Sequence, residues 1–163
     1  MKDWSDVFYY DGINLLWRMP PLASKKAGDI AGSVTNFGYR IVRYNRKRYL
    51  AHRIIWEMHN GPIPEGMEID HINHNRLDNR IENLRLVSHA ENQKNQKTHR
   101  MNTSGVTGVH WCKSRRKWVA RITVNGKHIN LGGFDSKDSA VSARKNAERR
   151  FGFHSNHGKQ MLT

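Results

Sequence analysis

IDHINHNRLDNRIENLRLVSHAENQKN, residues 69–95, is the stretch whose reading decides the fold. Ile69, Ile72, Leu84 and Leu86 are apolar landmarks for two short extended segments. The polar run HNRLDNR between them is long enough to join them as a hairpin. Ser88-His89-Ala90-Glu91 then has the Ser-x-x-Glu form of a capping box, which starts a helix directly after the second segment. The order is therefore strand, loop, strand, helix. Asp70 and His71 are adjacent, Asn83 follows His71 by twelve positions, and Asn92 follows Asn83 by nine. Asn92 falls on the first turns of the helix, where it is expected to face back toward Asp70. An Asp-His pair alone is more often a turn with a surface imidazole, and Asn83 alone reads equally as a turn or capping residue. Taken together with the capping box, the constellation points to a catalytic site.

DHIN (70–73), RLDNRIENLR (76–85) and ENQKN (91–95), in this order and spacing, resemble the H-N-H nucleases of the ββα-metal fold, in particular the small homing endonucleases of phages. The resemblance implies that His71 is the first motif residue, Asn83 the second, and Asn92 the third, where many relatives carry His. Hydrolysing a phosphodiester takes an activated water, charge stabilisation at phosphorus and help for the departing 3′ oxygen, and one divalent ion can supply the last two. By resemblance Asp70 and Asn92 hold that ion, and their two oxygens suit Mg²⁺ or Mn²⁺. His71 takes the proton from the attacking water, and Asn83 hydrogen-bonds backbone near His71. No small-molecule cofactor is expected. Zinc is not expected either, because structural zinc sites usually use paired cysteines and the chain has only Cys112. His52, His59, His74, His89 and His99 are expected to be structural or phosphate-contacting.

The 163 residues suffice for one ordinary domain or two small ones, and 37% hydrophobic content builds small cores. The net charge of +14, from 28 Lys and Arg against 14 Asp and Glu, calls for a polyanionic partner. DNA, RNA and anionic membrane all satisfy that number by itself. No apolar run approaches a membrane span, and MKDWSDVFYYDG carries acids where a signal peptide would carry bases. The expectation is a soluble protein in a reducing compartment with Cys112 a free thiol. The resemblance adds the cytoplasm of an infected bacterial host.

Within residues 1–34, Phe8-Tyr9-Tyr10 and Leu15-Leu16-Trp17 are broken by Asp11-Gly12 and Pro20-Pro21, which predicts a hairpin or short strands. GYRIVRYNRKRYLAHR predicts a second hairpin turning at Asn45-Arg46-Lys47. Arg40, Arg43, Arg46, Lys47 and Arg48 crowd it, either as a solvated face or as a phosphate-contacting surface. His52 to His59 reads as a short helix with Trp56 in the core and Gly61-Pro62 as its end.

From Asn92 to Phe134 there is no Asp or Glu, while Lys94, Lys97, Arg100, Lys113, Arg115, Arg116, Lys117, Arg121 and Lys127 all fall there, which favours a DNA-tracking surface. Residues 99–105 read as a linker between a nuclease domain over 1–98 and a second domain over 106–163. In the latter, Asn125-Gly126 marks a hairpin between WVARITV and KHINLGGF, and Asp135-Ser136-Lys137-Asp138 caps a helix running to about Phe151. TGVHW, KWVARI and LGGF resemble the plant ethylene-response-factor type of DNA-binding domain, which implies a sheet laid in the major groove. Strand alternation puts Trp118, Ala120, Ile122, Ile129 and Leu131 inward and Val119, Arg121, Thr123, His128 and Asn130 outward. Arg121 is the leading base reader, and Arg115, Arg116 and Lys117 are phosphate clamps.

The expected class is α+β: a ββα-metal domain plus a three-stranded antiparallel sheet packed on one helix. The expected function is a metal-dependent endonuclease on double-stranded DNA. A monomer carrying one metal site nicks one strand, and a dimer stays open. The competing readings are a DNA-binding regulator with a decayed site and a ribonuclease or less specific nuclease.

Overall fold

The computed structural model describes residues 3–21, 24–95, 98 and 101–158. The chain divides into two compact units, Met1–His89 and Ala90–Thr163.

In the first unit a 3-10 turn at Trp4–Asp6 leads into β1 (Phe8–Tyr10) and β2 (Leu15–Trp17), an antiparallel hairpin as predicted for this region. The Asp11 carboxylate closes its turn by accepting from the amides of Ile13 and Asn14. A second antiparallel sheet follows, β3 (Ser33–Val34), β4 (Arg40–Tyr44) and β5 (Lys47–Leu50), in that order. Asn45 and Arg46 both have positive φ, 47° and 60°. That is the two-residue turn whose twist matches the strands it joins. Next, α1 (Ala51–Asn60) buries Ala51, Ile54 and Ile55. Gly61 ends it at φ 79°, with its amide on the Glu57 carbonyl. Trp56 is half-buried against the core rather than inside it.

β6 (Met67–His71) and β7 (Leu84–Ser88) then form the antiparallel hairpin read from residues 69–88, in a register running from Met67 opposite Ser88 to His71 opposite Leu84. Ile69 and Leu84 drop into a core shared with Phe8, Leu15, Val42 and Ile55. Each such side chain contributes roughly 1.5–3 kcal/mol on burial, so the hairpin end bearing His71 and Asn83 is clamped to the unit. α2 (His89–Gln93) begins directly after Ser88, the residue expected to cap it.

The second unit carries β8 (Val109–Cys112), β9 (Lys117–Val124) and β10 (Lys127–Phe134) in the order β10-β9-β8, and α3 (Lys137–Arg150). Asn125 and Gly126 make the predicted turn, and the Ser136 hydroxyl caps α3 on the Ser139 amide. Ala120, Ile122, Ala140 and Ala147 are buried, while Arg121, Thr123, His128 and Asn130 are exposed. One departure is a bulge at Leu131: Asn130 opposes Arg121 but Gly132 opposes Ala120. Gly108, at φ 78°, cannot carry a side chain, since a Cβ there would lie 2.3 Å from the Arg121 carbonyl oxygen.

The division between units falls at His89/Ala90 rather than near residue 98. The cause is the C-terminal tail: the His154 amide donates to the Lys94 carbonyl, and the Thr98 hydroxyl donates to the Gly158 carbonyl at 2.6 Å. Within the expected linker, Asn102 and Ser104 fold a hydrogen-bonded turn onto Gly105 and Val106, with Ser104 buried.

Candidate active site

β6 ends at His71, and the pleat places Ile69 and His71 on the buried face with Glu68 and Asp70 on the other. His71 is only 4% exposed. Its Nε2 lies 3.0 Å from the Asn79 side-chain oxygen. A carboxamide oxygen can only accept, so Nε2 carries the proton and the lone pair resides on Nδ1. The His52 ring meets His71 edge-on at 4.8 Å, and Tyr39 lies 5.5 Å from His52 and 6.2 Å from His71. Burial pushes the His71 imidazole below its ordinary value, while the Asn79 bond and the Asp70 and Asp78 carboxylates pull it back.

The loop after His71 is held by carboxamides. Asn83, 6% exposed, accepts from the Asn73 amide at 3.0 Å and donates to the Asp78 carbonyl at 2.8 Å. Its own carbonyl takes the Ile72 amide at 2.9 Å. Asp78 accepts from Asn73 and, through both oxygens, from Arg80. The Arg80 bonds hold the Asp78 carboxyl at about 2. This network positions Asn79 and thereby His71. Replacing Asn83 with Ala leaves the part-buried Asn73 amide and Asp78 carbonyl without these bonds, and urea denaturation is expected to show a loss of about 1–3 kcal/mol with an unchanged m-value. A wild-type midpoint for that variant would show that the loop is held some other way.

Asp70 stands opposite Arg85 in the hairpin register, and Arg85 donates through Nε and Nη2 to Asp70 Oδ2 at 3.0 and 2.7 Å. The side chains are 11% and 28% exposed. The guanidinium thus grips one carboxylate oxygen and orients the other. Asn92 lies on α2, in the second unit. No group of three or more His, Cys, Asp or Glu side chains suited to a metal is found among the described residues. The Asp70 carboxylate is an oxygen donor of the kind that suits a hard ion.

Among the remaining expected contacts, Arg43, Arg46, Lys47 and Arg48 are exposed around the β4–β5 turn, but Arg40 is half-buried and donates to the Gly32 carbonyl at 3.3 Å. Lys113, Arg115, Arg116, Arg121 and Lys127 are exposed, and Lys94 is half-buried. Lys117 is less available than expected, because its ammonium pairs with Asp135 at 2.6 Å. Thr123 and His128 bond each other across the strands at 2.9 Å, and the Asn130 side chain accepts the Gly132 amide at the bulge. Lys97, His99 and Arg100 lie outside the described residues. Of the other histidines, His52 and His74 are buried, and His89 bonds Glu68.

The sequence reading missed Asn79, Arg85 and the His52–Tyr39 pair. Arg85 was within reach: once His71 faces Leu84 across an antiparallel ladder, Asp70 must face Arg85.

Residues 49–94 match the family described as HNH endonuclease. The chain is 46% identical over 87 residues to Protein 3.8 of Escherichia phage T7, covering 53% of this chain and 69% of that protein. It is 34% identical over 64 residues to a prophage-derived candidate HNH homing endonuclease of Bacillus subtilis, covering 36% and 37% of the two chains. An uncharacterised HNH endonuclease of Acanthamoeba polyphaga mimivirus is 30% identical over 101 residues, covering 61% and 51%. The chain thus spans about half or less of each of the two relatives named as HNH endonucleases. No solved structure matches it.

Proposed function

Residues 49–94 of this chain match the HNH endonuclease family, and on that footing we propose that it is a Mg²⁺- or Mn²⁺-dependent DNA endonuclease of the phage homing type that nicks one strand, leaving a 5′ phosphate and a 3′ hydroxyl. The observation that carries the reading is the held imidazole: His71 is fixed by Asn79 in the tautomer whose Nδ1 lone pair can accept a proton. Asp70, oriented by Arg85, would hold the cation. When bound, that ion stabilises charge on the phosphate and assists departure of the 3′ oxygen. His71 removes the proton from water, Asn79 keeps the ring in register, and Asn83 keeps Asn79 in place.

In this reading the second unit targets the cut. Its sheet exposes Arg121, with Arg115, Arg116 and Lys127 nearby in sequence, and a three-stranded sheet with one helix is the arrangement a domain of the ethylene-response-factor type would need. Arg121 would read a base edge and Arg115 and Arg116 would hold phosphates. Neutralising phosphates with this many cations makes binding fall steeply with salt.

Supercoiled plasmid incubated with Mg²⁺, with and without EDTA, tests the proposal. Wild type should convert it to open circles only with the metal, and Asp70→Asn should lose roughly two orders of magnitude in rate. Binding without nicking by wild type would leave a DNA-binding regulator. Equal degradation of RNA would leave a less specific nuclease.

A further inference from the structure

The first unit presents apolar side chains to solvent on two loops beside His71. Phe37 is 78% exposed and Leu77 is 44% exposed. A lone exposed apolar residue is ordinary, but the tip bearing Phe37 is not loosely held. The Thr35 amide donates to the Tyr39 carbonyl at 2.8 Å, the Gly38 amide donates to the Thr35 carbonyl at 2.8 Å, and the Tyr39 amide reaches the Thr35 hydroxyl at 3.3 Å. Arg76, next to Leu77 in the loop that carries Asn79, donates to the Phe37 carbonyl at 2.9 Å and lays its guanidinium over Tyr39 at 4.6 Å. Tyr39 in turn packs near His52 and His71. A rigid aromatic tip is thus stapled to the loop that holds the imidazole.

From this arrangement we propose that Phe37, with Leu77 on the adjoining loop, is a wedge that inserts between base pairs of duplex DNA next to the phosphate being cut. The inference rests on the nuclease reading and adds how the duplex is deformed. Apolar side chains driven into a base step unstack it and kink the helix, a cost offset by the added contacts. Along each strand successive nucleotides rise about 3.4 Å, so a tip two residues from Tyr39 falls within a few steps of a phosphate at His71. Arg76 at its base is placed to meet a flanking phosphate. Charge selects DNA over a second copy of the chain, because a protein of +14 repels itself.

The test uses the full chain on relaxed closed-circular plasmid in EDTA, which prevents nicking. A metal-independent topoisomerase seals the bound state, and linking number is read after the protein is removed, with bound protein counted by gel shift. Wild type should lower the linking number, and Phe37→Ala should lose most of that shift at equal occupancy and unchanged Tm. With Mg²⁺, Phe37→Ala should nick about tenfold more slowly, since the phosphate is no longer presented in register. Equal unwinding by Phe37→Ala, or binding by wild type without unwinding, overturns the wedge while leaving the nuclease reading intact. Failure of wild type to bind plasmid at all removes both. A dimer in sedimentation that Phe37→Ala converts to monomer would make the tip a contact between copies and overturn the proposal.

Discussion

His71→Ala should lower DNA nicking by roughly two to four orders of magnitude, the usual contribution of a general base, while plasmid binding in EDTA stays within a few-fold of wild type. The side chain is nearly buried and makes its bond to Asn79 inside the unit. DNA affinity, by contrast, comes chiefly from exposed cations. The variant must be shown to fold, since removing a ring that touches His52 leaves a void. Asn79→Ala supplies a second reading of the same point. It keeps the imidazole but removes the acceptor that fixes the tautomer, so kcat should fall with KM little changed. If His71→Ala nicked plasmid at the wild-type rate in a metal-dependent manner, proton removal would have to be assigned elsewhere and the proposed arrangement would be wrong.

Much of the scaffold around that imidazole was legible before any coordinates. Alternation and turn chemistry located the hairpins of β1–β2, β4–β5, β6–β7 and β9–β10, because a strand's two faces and a two-residue turn are properties of a few neighbouring residues. α1 was legible for the same local reason, with Gly61 at its end. The rest depends on long-range contacts. Asn79 is one of several asparagines in a polar loop, and only the three-dimensional path of residues 72–83 selects it as the partner of His71. His52 reads as an unremarkable histidine near a helix start, yet folding α1 onto the β-sheets buries it against Tyr39 and His71. The boundary at His89/Ala90 was not legible either. It is set by tail residues His154 and Gly158 returning to Lys94 and Thr98, a contact between distant segments with no local signature. Such positions are where sequence patterning and function part company: the loops that carry the candidate chemistry obey hydrogen-bond accounting rather than periodicity.

Acid should destabilise the first unit through His52 well before its carboxylates protonate. Burial, with His71 and Arg53 as positively charged or chargeable neighbours, pushes His52 down to about 3. The other ring facing it is Tyr39. In the unfolded chain the same group titrates near ~6.5. The unfolded state therefore takes up a proton first as pH falls, so stability is complete above about 6.5 and declines down to about 3. One such histidine costs about 1.4 kcal/mol for each pH unit in that window, or about 2 kcal/mol at pH 5. His157 acts in the same direction in the second unit, where burial foremost, with Arg144 and Lys145, pushes it to about 4. Among the described residues, Nδ1 of each ring is buried without a hydrogen-bond partner. Arg144 also donates to His157 Nε2, so protonation there would break a buried contact. His52→Phe separates the titration from the packing. It keeps an aromatic ring, removes the titrating nitrogens and leaves Tyr39 and His71 a surface to pack on. The variant should match wild type at pH 7.5 within about 1 kcal/mol and exceed it by about 2 kcal/mol at pH 5. Urea denaturation at the two pH values decides it, and parallel losses in wild type and variant would show that His52 is not the group being titrated.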